Sequence, residues 1–311
     1  MNIHKYIERL PHFNNAVVTI GTFDGVHMGH QKIIGQLKSE AKRSGGETVI
    51  ITFHPHPRKI IHTAKEIKLI TTIDERIERL SAAGIDHLVI VPFTQGFSEL
   101  EPAEYVESFL KKRFAPSIVI IGYDHKFGKE RKGDYRLLEE YSAKGFFTLK
   151  EIPQHVINDS TVSSTLIRDY ITNGEIEKAN ALLGYDFSFE GVVVKGDQRG
   201  RTIGFPTANL ELTNEEKIIP GNGVYAVELT LPTADSRLPL KGMMNIGIRP
   251  TVDGTKRTIE VNIFDFSRDI YGKKVRVYVK AFLRAEKKFS GVDELKSQLE
   301  KDRDAAKRAL L

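Results

Sequence analysis

The sequence predicts an α/β domain on a parallel sheet, followed by a domain of successive antiparallel strands, a barrel or a sandwich. Three observations carry this reading. Up to Gly184, apolar β-branched runs alternate with helical patterns, as expected for a parallel sheet with helices on both faces. Beyond Gly184, strand-like runs follow one another with only turn residues between them, as in antiparallel barrels and sandwiches. The first strong strand also runs straight into a glycine turn and an amphipathic helix.

In chain order, Ala16, Val17, Val18, Thr19 and Ile20 are apolar and β-branched enough for a buried strand. Ile33, Ile34 and Leu37 mark the apolar face of a helix over 28–43. Further strands are expected at 48–53, 87–91 and 118–121, with a weaker one at 146–152. Helices are expected over 73–83, 102–113 and 134–143, and two more, 163–172 and 175–183, should close this half. The second half should hold strands at 187–195, 223–231, 238–246, 258–266 and 274–282, then a helix at 292–309. The boundary falls at Gly184, giving domains 1–184 and 185–311.

Composition sets outer bounds. A chain of 311 residues has room for two domains with proper cores. Lys and Arg number 46 against 41 Asp and Glu, a net charge of +5. That suits anionic small molecules and does not demand nucleic acid; a solvated lysine-rich surface explains it as well. With no Cys, disulfides and thiolate metal sites are excluded, and a cytoplasmic location is expected. Met1-Asn2-Ile3-His4-Lys5 has no apolar leader run. No stretch approaches the ~18 apolar residues of a membrane span, so no membrane partner is expected.

The most informative segment is Gly21-Thr22-Phe23-Asp24-Gly25-Val26-His27-Met28-Gly29-His30. It reads as strand end, tight turn and helix N-terminus. Unpaired N–H groups and partial positive charge collect there and favour phosphate. Two histidines can add hydrogen bonds to oxygens that gain charge in a reaction. Nucleotidyl or phosphoryl transfer without a Walker loop is the chemistry this suggests. The same pair would suit zinc only with a third or fourth ligand; surface histidines with no role are the plainest reading.

Other segments add to it. Val162-Ser163-Ser164-Thr165-Leu166-Ile167-Arg168 places hydroxyls and N–H groups at a helix start with a fork-shaped cation a turn later, suited to phosphate oxygens. Alone, Ser-Ser-Thr is an ordinary N-cap. Ile121-Gly122-Tyr123-Asp124-His125-Lys126-Phe127-Gly128-Lys129-Glu130-Arg131-Lys132-Gly133-Asp134 follows another strand. Phe53-His54-Pro55-His56-Pro57 is, at its plainest, a rigid proline turn. In the second half, Gly200-Arg201-Thr202-Ile203-Gly204-Phe205-Pro206-Thr207-Ala208-Asn209 offers two oxygen ligands, Thr207 and Asn209, of the kind magnesium takes alongside phosphates and water. Ile259-Glu260-Val261-Asn262-Ile263 supplies a carboxylate on a strand, and Arg284-Ala285-Glu286-Lys287-Lys288-Phe289 precedes a helix carrying Leu295, Gln298 and Asp302. By periodicity alone Leu295 is a packing residue.

These segments, in this order, resemble the bacterial bifunctional riboflavin kinase/FMN adenylyltransferases (FAD synthetases). The first motif matches the family form G-[TN]-F-D-G-x-H-x-G-H, and residues 200–209 match G-R-x-[LI]-G-F-P-T-A-N. The resemblance implies a Rossmann-like nucleotidyltransferase domain, then an antiparallel riboflavin kinase barrel with a C-terminal helix. It implies Glu260 as kinase base, with His27, His30 and Arg168 acting in adenylylation. It implies nucleotide binding by Gly21, Phe23, Asp24, Gly29, Ser163, Ser164 and Thr165 in one half, and by Gly200, Arg201, Gly204 and Pro206 in the other. It implies flavin contacts from Phe53, Pro55, Asp124, Phe127, Arg131, Arg284, Phe289 and Leu295, and Mg²⁺ on Thr207 and Asn209. ATP, riboflavin and FMN are the implied substrates. The chain departs from the family at His125, where Phe is usual, and at Asn262, where His is usual. Two rival readings are a nucleotidyltransferase for another phosphorylated acceptor, which leaves the second half unexplained, and a non-enzymatic flavin- or nucleotide-binding protein. A nucleic-acid binder would need basic and aromatic residues interleaved on one face, and no clear cluster is seen.

Overall fold

The computed structural model describes residues 1–61, 67–122, 125–152, 162–196, 199–231, 239–251 and 254–311. They form two compact units, Met1–Ser164 and Thr165–Leu311.

The first unit is built on six strands: β1 (Asn2–His4), β2 (Val17–Ile20), β3 (Thr48–His54), β4 (His87–Pro92), β5 (Ile118–Gly122) and β6 (Thr148–Ile152). Their order is β1-β4-β3-β2-β5-β6, and every pairing is parallel. All four residues of β2 are buried, because successive side chains feed two different cores. Val18 and Ile20 pack with Phe109 and Phe114 on one face. Val17 packs with Ile34, Leu37 and Ala41 of the helix Met28–Ser44 on the other. The chain leaves β2 for β3 and β4 on one side, then crosses to β5 on the other. The carboxyl end of β2 is therefore the topological switch point, where such sheets take ligands.

Strand β1 was not expected. It has three residues and pairs only with β4, too short for any periodicity to show. The helix expected over 102–113 consists of Pro102–Glu104, Tyr105–Lys111 and Lys112–Phe114, the middle piece with π-type hydrogen bonds.

The second unit is a closed barrel, not a sandwich. Its strands are β7 (Ser188–Val194), β8 (Ala208–Leu212), β9 (Gly223–Thr230), β10 (Leu240–Thr251), β11 (Gly254–Ile263) and β12 (Lys274–Arg284). They close in the order β10-β11-β8-β7-β12-β9, with all pairs antiparallel. Five strands were expected. The sixth, β8, begins inside the 200–209 motif, whose glycines and proline read as a turn. The helix Val292–Ala309 packs on the barrel, with Ala306 and Leu310 set among Phe205, Ala226 and Met243. Among the described residues, no helix is long and apolar enough to cross a membrane.

The helices Ser164–Thr172 and Ile176–Leu183 make contacts of their own with the barrel strands. Residues 165–183 belong to the barrel unit. Asn180 Nδ2 donates to the Val279 carbonyl at 2.9 Å, Phe187 N donates to Asn180 Oδ1 at 2.8 Å, and Gly221 N donates to the Ile171 carbonyl at 3.0 Å. Ile171, Ile176, Ala179 and Leu183 are fully buried, and each large one contributes roughly 1.5–3 kcal/mol of burial. A 165–311 fragment should therefore melt at least ~5 °C above a 185–311 fragment. Calorimetry on the two fragments checks this; equal melting temperatures would show that the helices add nothing to the barrel.

Candidate functional site

The turn after β2 is held in a conformation that L-residues rarely adopt. Phe23, Gly25 and Val26 have φ of 48°, 87° and 41°. For a β-branched residue such as Val26 this is costly, and it persists only where the surroundings impose it. The surroundings do so through Asp24. Its carboxylate is fully buried. It accepts hydrogen bonds from Ile70 N at 3.1 Å, Thr71 N at 2.9 Å and the Thr71 hydroxyl at 3.1 Å. Thr71 Oγ1 in turn accepts from Gly25 N at 2.9 Å. At position 25 a side chain would also press on Ile70, 3.1 Å from the nearest atom. Asp24, which the family resemblance assigns to nucleotide binding, is thus occupied in shaping the turn.

His27 caps the helix Met28–Ser44, accepting from His30 N through Nδ1 at 3.4 Å. An accepting Nδ1 leaves the ring proton on Nε2. The two imidazoles stack with centroids 3.7 Å apart and planes 19° apart, and His30 lies 4.9 Å from the Phe23 ring. His30 Nδ1 is buried with no hydrogen-bond partner among the described residues. Burial first, then His27 and Arg76, hold the His30 pKa well below its ordinary value, so the ring is neutral. A neutral imidazole with an unsatisfied nitrogen is suited to receive a polar ligand.

The start of the second motif, Ser164, meets the first at this turn. Ser164 Oγ donates to the Asp24 carbonyl at 3.0 Å, so the start of the helix Ser164–Thr172 adjoins the glycine turn. Ser163 and Thr165 are exposed, and Gly21 and Arg168 are half-buried. Gly29 is buried in the first turn of the helix Met28–Ser44.

The expected flavin contacts of this unit fare differently. Asp124 lies outside the described residues. Phe53 and Phe127 are 8% and 5% exposed and sit in an aromatic cluster. Phe53 lies 5.5 Å from Phe93, and Phe127 lies 4.8 Å from Tyr105 in a stack. Both rings are thus packed into that cluster. His125 stacks 5.8 Å from Phe127, so an aromatic ring is kept where Phe is usual. Pro55 follows a cis peptide bond after His54. Arg131 is exposed, in a loop closed by mutual backbone hydrogen bonds between Phe127 and Gly133.

One residue of this site was missed. Arg76 is 1% exposed, on the helix Ile73–Ala82. Within Asp74-Glu75-Arg76-Ile77-Glu78-Arg79 it reads as surface charge. The available signal was its position, three residues after Ile73 and four before Leu80, on the apolar stripe.

In the barrel unit a cavity of 280 Å³ is lined by Gly200, Thr207, Asn209, Glu260, Asn262, Phe289 and Leu295 among others. Glu260 on β11 pairs across with Asn209 of β8 and Asn245 of β10. The Thr207 hydroxyl donates to Glu260 Oε2 at 3.5 Å. The loop before β8 is pinched shut: Phe205 N donates to the Gly200 carbonyl at 2.8 Å, and a Cβ on residue 200 would sit 2.2 Å from the Phe205 oxygen. Only glycine fits there. Gly204 carries φ of 85°, while Arg201 and Pro206 are exposed. Asn262 Nδ2 donates to the Pro206 carbonyl at 2.7 Å. Arg284 forks onto Asp302 at 2.8 and 2.7 Å and lies 5.7 Å from the Phe289 ring. Gln298 donates to the same carboxylate at 2.8 Å. Among the described residues no group of three or more His, Cys, Asp or Glu could hold a metal. The hydroxyl, amide and single carboxylate gathered at Thr207, Asn209 and Glu260 suit a hard cation that keeps phosphate and water as its other ligands.

Two family models match the chain: one described as FAD synthetase over residues 10–166, the other as riboflavin kinase over residues 183–310. The bifunctional riboflavin kinase/FMN adenylyltransferase of Listeria monocytogenes is 41% identical over 290 residues, 93% of this chain and 90% of its own length. That of Bacillus subtilis is 37% identical over 296 residues, 94% and 91% respectively. A crystal structure described as a macrolide-efflux protein from Streptococcus pneumoniae has a TM-score of 0.86 at 31% identity, covering 98% of both chains. Both halves find their counterparts in the order the fold presents them, and relatives this similar run along nearly the whole length; the chain belongs to the bifunctional riboflavin kinase/FMN adenylyltransferase family.

Proposed function

We propose that the two reactions of the family run on separate sites of this chain. Riboflavin is phosphorylated by ATP in the barrel, within 185–311, and FMN is adenylylated by a second ATP in the α/β half, within 1–184. The chain acts in the cytoplasm, in keeping with a sequence that has no cysteine.

The observation that carries the kinase reading is the Glu260 carboxylate, on the cavity wall and 3.5 Å from the Thr207 hydroxyl. As base it takes the proton of the riboflavin 5′-hydroxyl while that oxygen bonds to the γ-phosphorus of ATP and ADP departs. Thr207 and Asn209 would hold Mg²⁺, which when bound neutralises charge on the phosphate oxygens. Asn262 steadies the loop through the Pro206 carbonyl, a hydrogen bond that a histidine N–H could equally supply. Phe289 and Leu295 give the cavity its apolar wall for the flavin ring.

In the α/β half, an FMN phosphate oxygen bonds to the α-phosphorus of ATP as the bond to the β-phosphate oxygen breaks and pyrophosphate leaves. No base is needed, since a phosphate monoester is already a nucleophile. The N–H groups of the turn and of the helix starting at Met28 receive phosphate oxygens. His27 and His30 donate hydrogen bonds to the charge that builds, and Arg168 adds a planar cation.

Three outcomes check this. Glu260→Gln should lower riboflavin phosphorylation about 10²–10⁴-fold and leave FMN adenylylation intact. Separate assays with riboflavin and with FMN decide it, and normal FMN production would assign the base elsewhere. His30→Ala should slow FAD formation about 10²–10³-fold while FMN accumulates. Arg168→Ala should act mainly on ATP affinity, with only partial rescue by Arg168→Lys; wild-type FAD synthesis in either alanine variant removes that residue from the mechanism. The neutral state of His30 also sets a pH dependence. Its folded pKa is depressed, so below about pH 6.5 the unfolded chain takes up the proton more readily, and stability falls as pH drops through that value. Melting temperatures across this range should fall less steeply in His30→Gln; parallel curves would contradict a neutral His30.

A further inference from the structure

We propose that Arg76 is a positioning residue for adenylyl transfer: its buried guanidinium fixes the glycine turn through Thr52 and keeps a permanent positive charge two hydrogen bonds from the Thr22 carbonyl. The inference rests on the reading that the turn 21–30 is the adenylylation site.

The guanidinium cannot shed its charge inside a protein, and Arg76 is 1% exposed. Burying a charge is costly unless it is hydrogen-bonded, so its contacts matter. Nη1 donates to Thr52 Oγ1 at 3.2 Å and to the Phe53 carbonyl at 3.4 Å. Thr52 Oγ1 donates to the Thr22 carbonyl at 3.0 Å. A hydroxyl has one proton. With the guanidinium filling a lone pair of Thr52, that proton is committed to Thr22, the residue before the first left-handed position of the turn. The same stretch of chain grips the turn a second time, where Ile70 and Thr71 donate to Asp24. Residues 22 and 24 are therefore both tied down from the segment 70–76, on either side of Phe23.

The charge has its own consequence. Arg76 is one of the groups that disfavour a proton on His30. Burial and His27 do more than Arg76 to keep the ring neutral; what Arg76 adds is a positive charge two hydrogen bonds from the Thr22 carbonyl. A triphosphate arriving at the turn meets that charge with the opposite sign.

The test uses the full-length chain, with calorimetry following the melting of the α/β unit that carries Arg76 and kinase activity reporting on the barrel. Three variants separate the parts: Arg76→Gln keeps a donor and removes the charge, Arg76→Lys keeps the charge and loses the fork, and Thr52→Val removes the relay with little change of shape. FMN adenylylation is measured as kcat and as KM for ATP. Arg76→Gln should raise KM for ATP about tenfold or more, the worth of one interaction with a charged group, and lower kcat. Arg76→Lys should recover most of the KM but not kcat, and Thr52→Val should lower kcat with KM little changed. Kinase activity should stay within about twofold throughout, as expected for independent sites. Wild-type kcat and KM in Arg76→Gln overturns the proposal, and so does equal loss in Arg76→Gln and Arg76→Lys. If Arg76→Gln fails to fold, as judged by loss of the α/β unit's melting transition, Thr52→Val decides, and an unchanged kcat overturns the relay. His30→Ala run beside them separates the two levels. If His30→Ala is impaired and the Arg76 variants are not, this inference alone falls; if His30→Ala is silent too, the site reading falls with it.

Discussion

Asp24 carries a negative charge in the interior of the α/β unit, and the hydrogen bonds it accepts from Ile70 and Thr71 decide the shape of everything around it. Hydrogen bonds to an ionised group contribute about 1.5–3 kcal/mol each. That is enough to hold Phe23 and Val26 at positive φ against a cost of order 1–3 kcal/mol per residue. The strained turn in turn sets His27 at the cap of the first long helix and stacks His30 against it. Ser164 then closes on the Asp24 carbonyl, bringing a segment from far along the chain to the same point. The carboxylate of this motif is turned into the protein, where Ile70 and Thr71 donate to it.

Much of this was legible in the amino-acid sequence. The run 16–20, the glycines after it and the apolar stripe Ile33, Ile34, Leu37 specify strand, turn and helix, because each follows a periodicity that the core enforces. The barrel strands were legible for the same reason, except β8. There the residues that make the turn, Gly204 and Pro206, stand directly before the residues that pair, and turn chemistry masks the strand. Arg76 was not legible by composition, because a charged residue in a charged helix reads as surface until its partners are known. The helices 164–183 were readable as helices but not as parts of the barrel unit. Their destination depends on side chains such as Asn180, whose partners Val279 and Phe187 lie in strand-forming sequence on the other side of the boundary. Phe53 and Phe127 were read by motif as flavin contacts, whereas their burial is a property of the aromatic cluster they join.

The barrel solves a different problem with similar means. Glu260 must face a cavity and stay near two neutral oxygen donors, and antiparallel register does this by placing it opposite Asn209. The loop that carries Thr207 is then held at both ends, by the Phe205–Gly200 hydrogen bond and by Asn262 on the Pro206 carbonyl. At the position where the family usually has His, Asn262 thus supplies a donor to the loop.

The stretch between Arg284 and the last helix has the opposite character. At its start Arg284 is locked to the buried Asp302, and at its end Glu294 gathers Lys287, Ser290 N and the Ser290 hydroxyl on an exposed carboxylate, whose pKa they pull down to about 2. Between these anchors most residues are exposed, yet Glu286, Lys287 and Phe289 line the cavity. This part of the cavity wall is thus fastened by surface charge, which water and salt compete for, while Arg284 at its start is fastened to a buried carboxylate. Salt should therefore loosen the contacts of Glu294 before it loosens the pairing of Arg284 with Asp302.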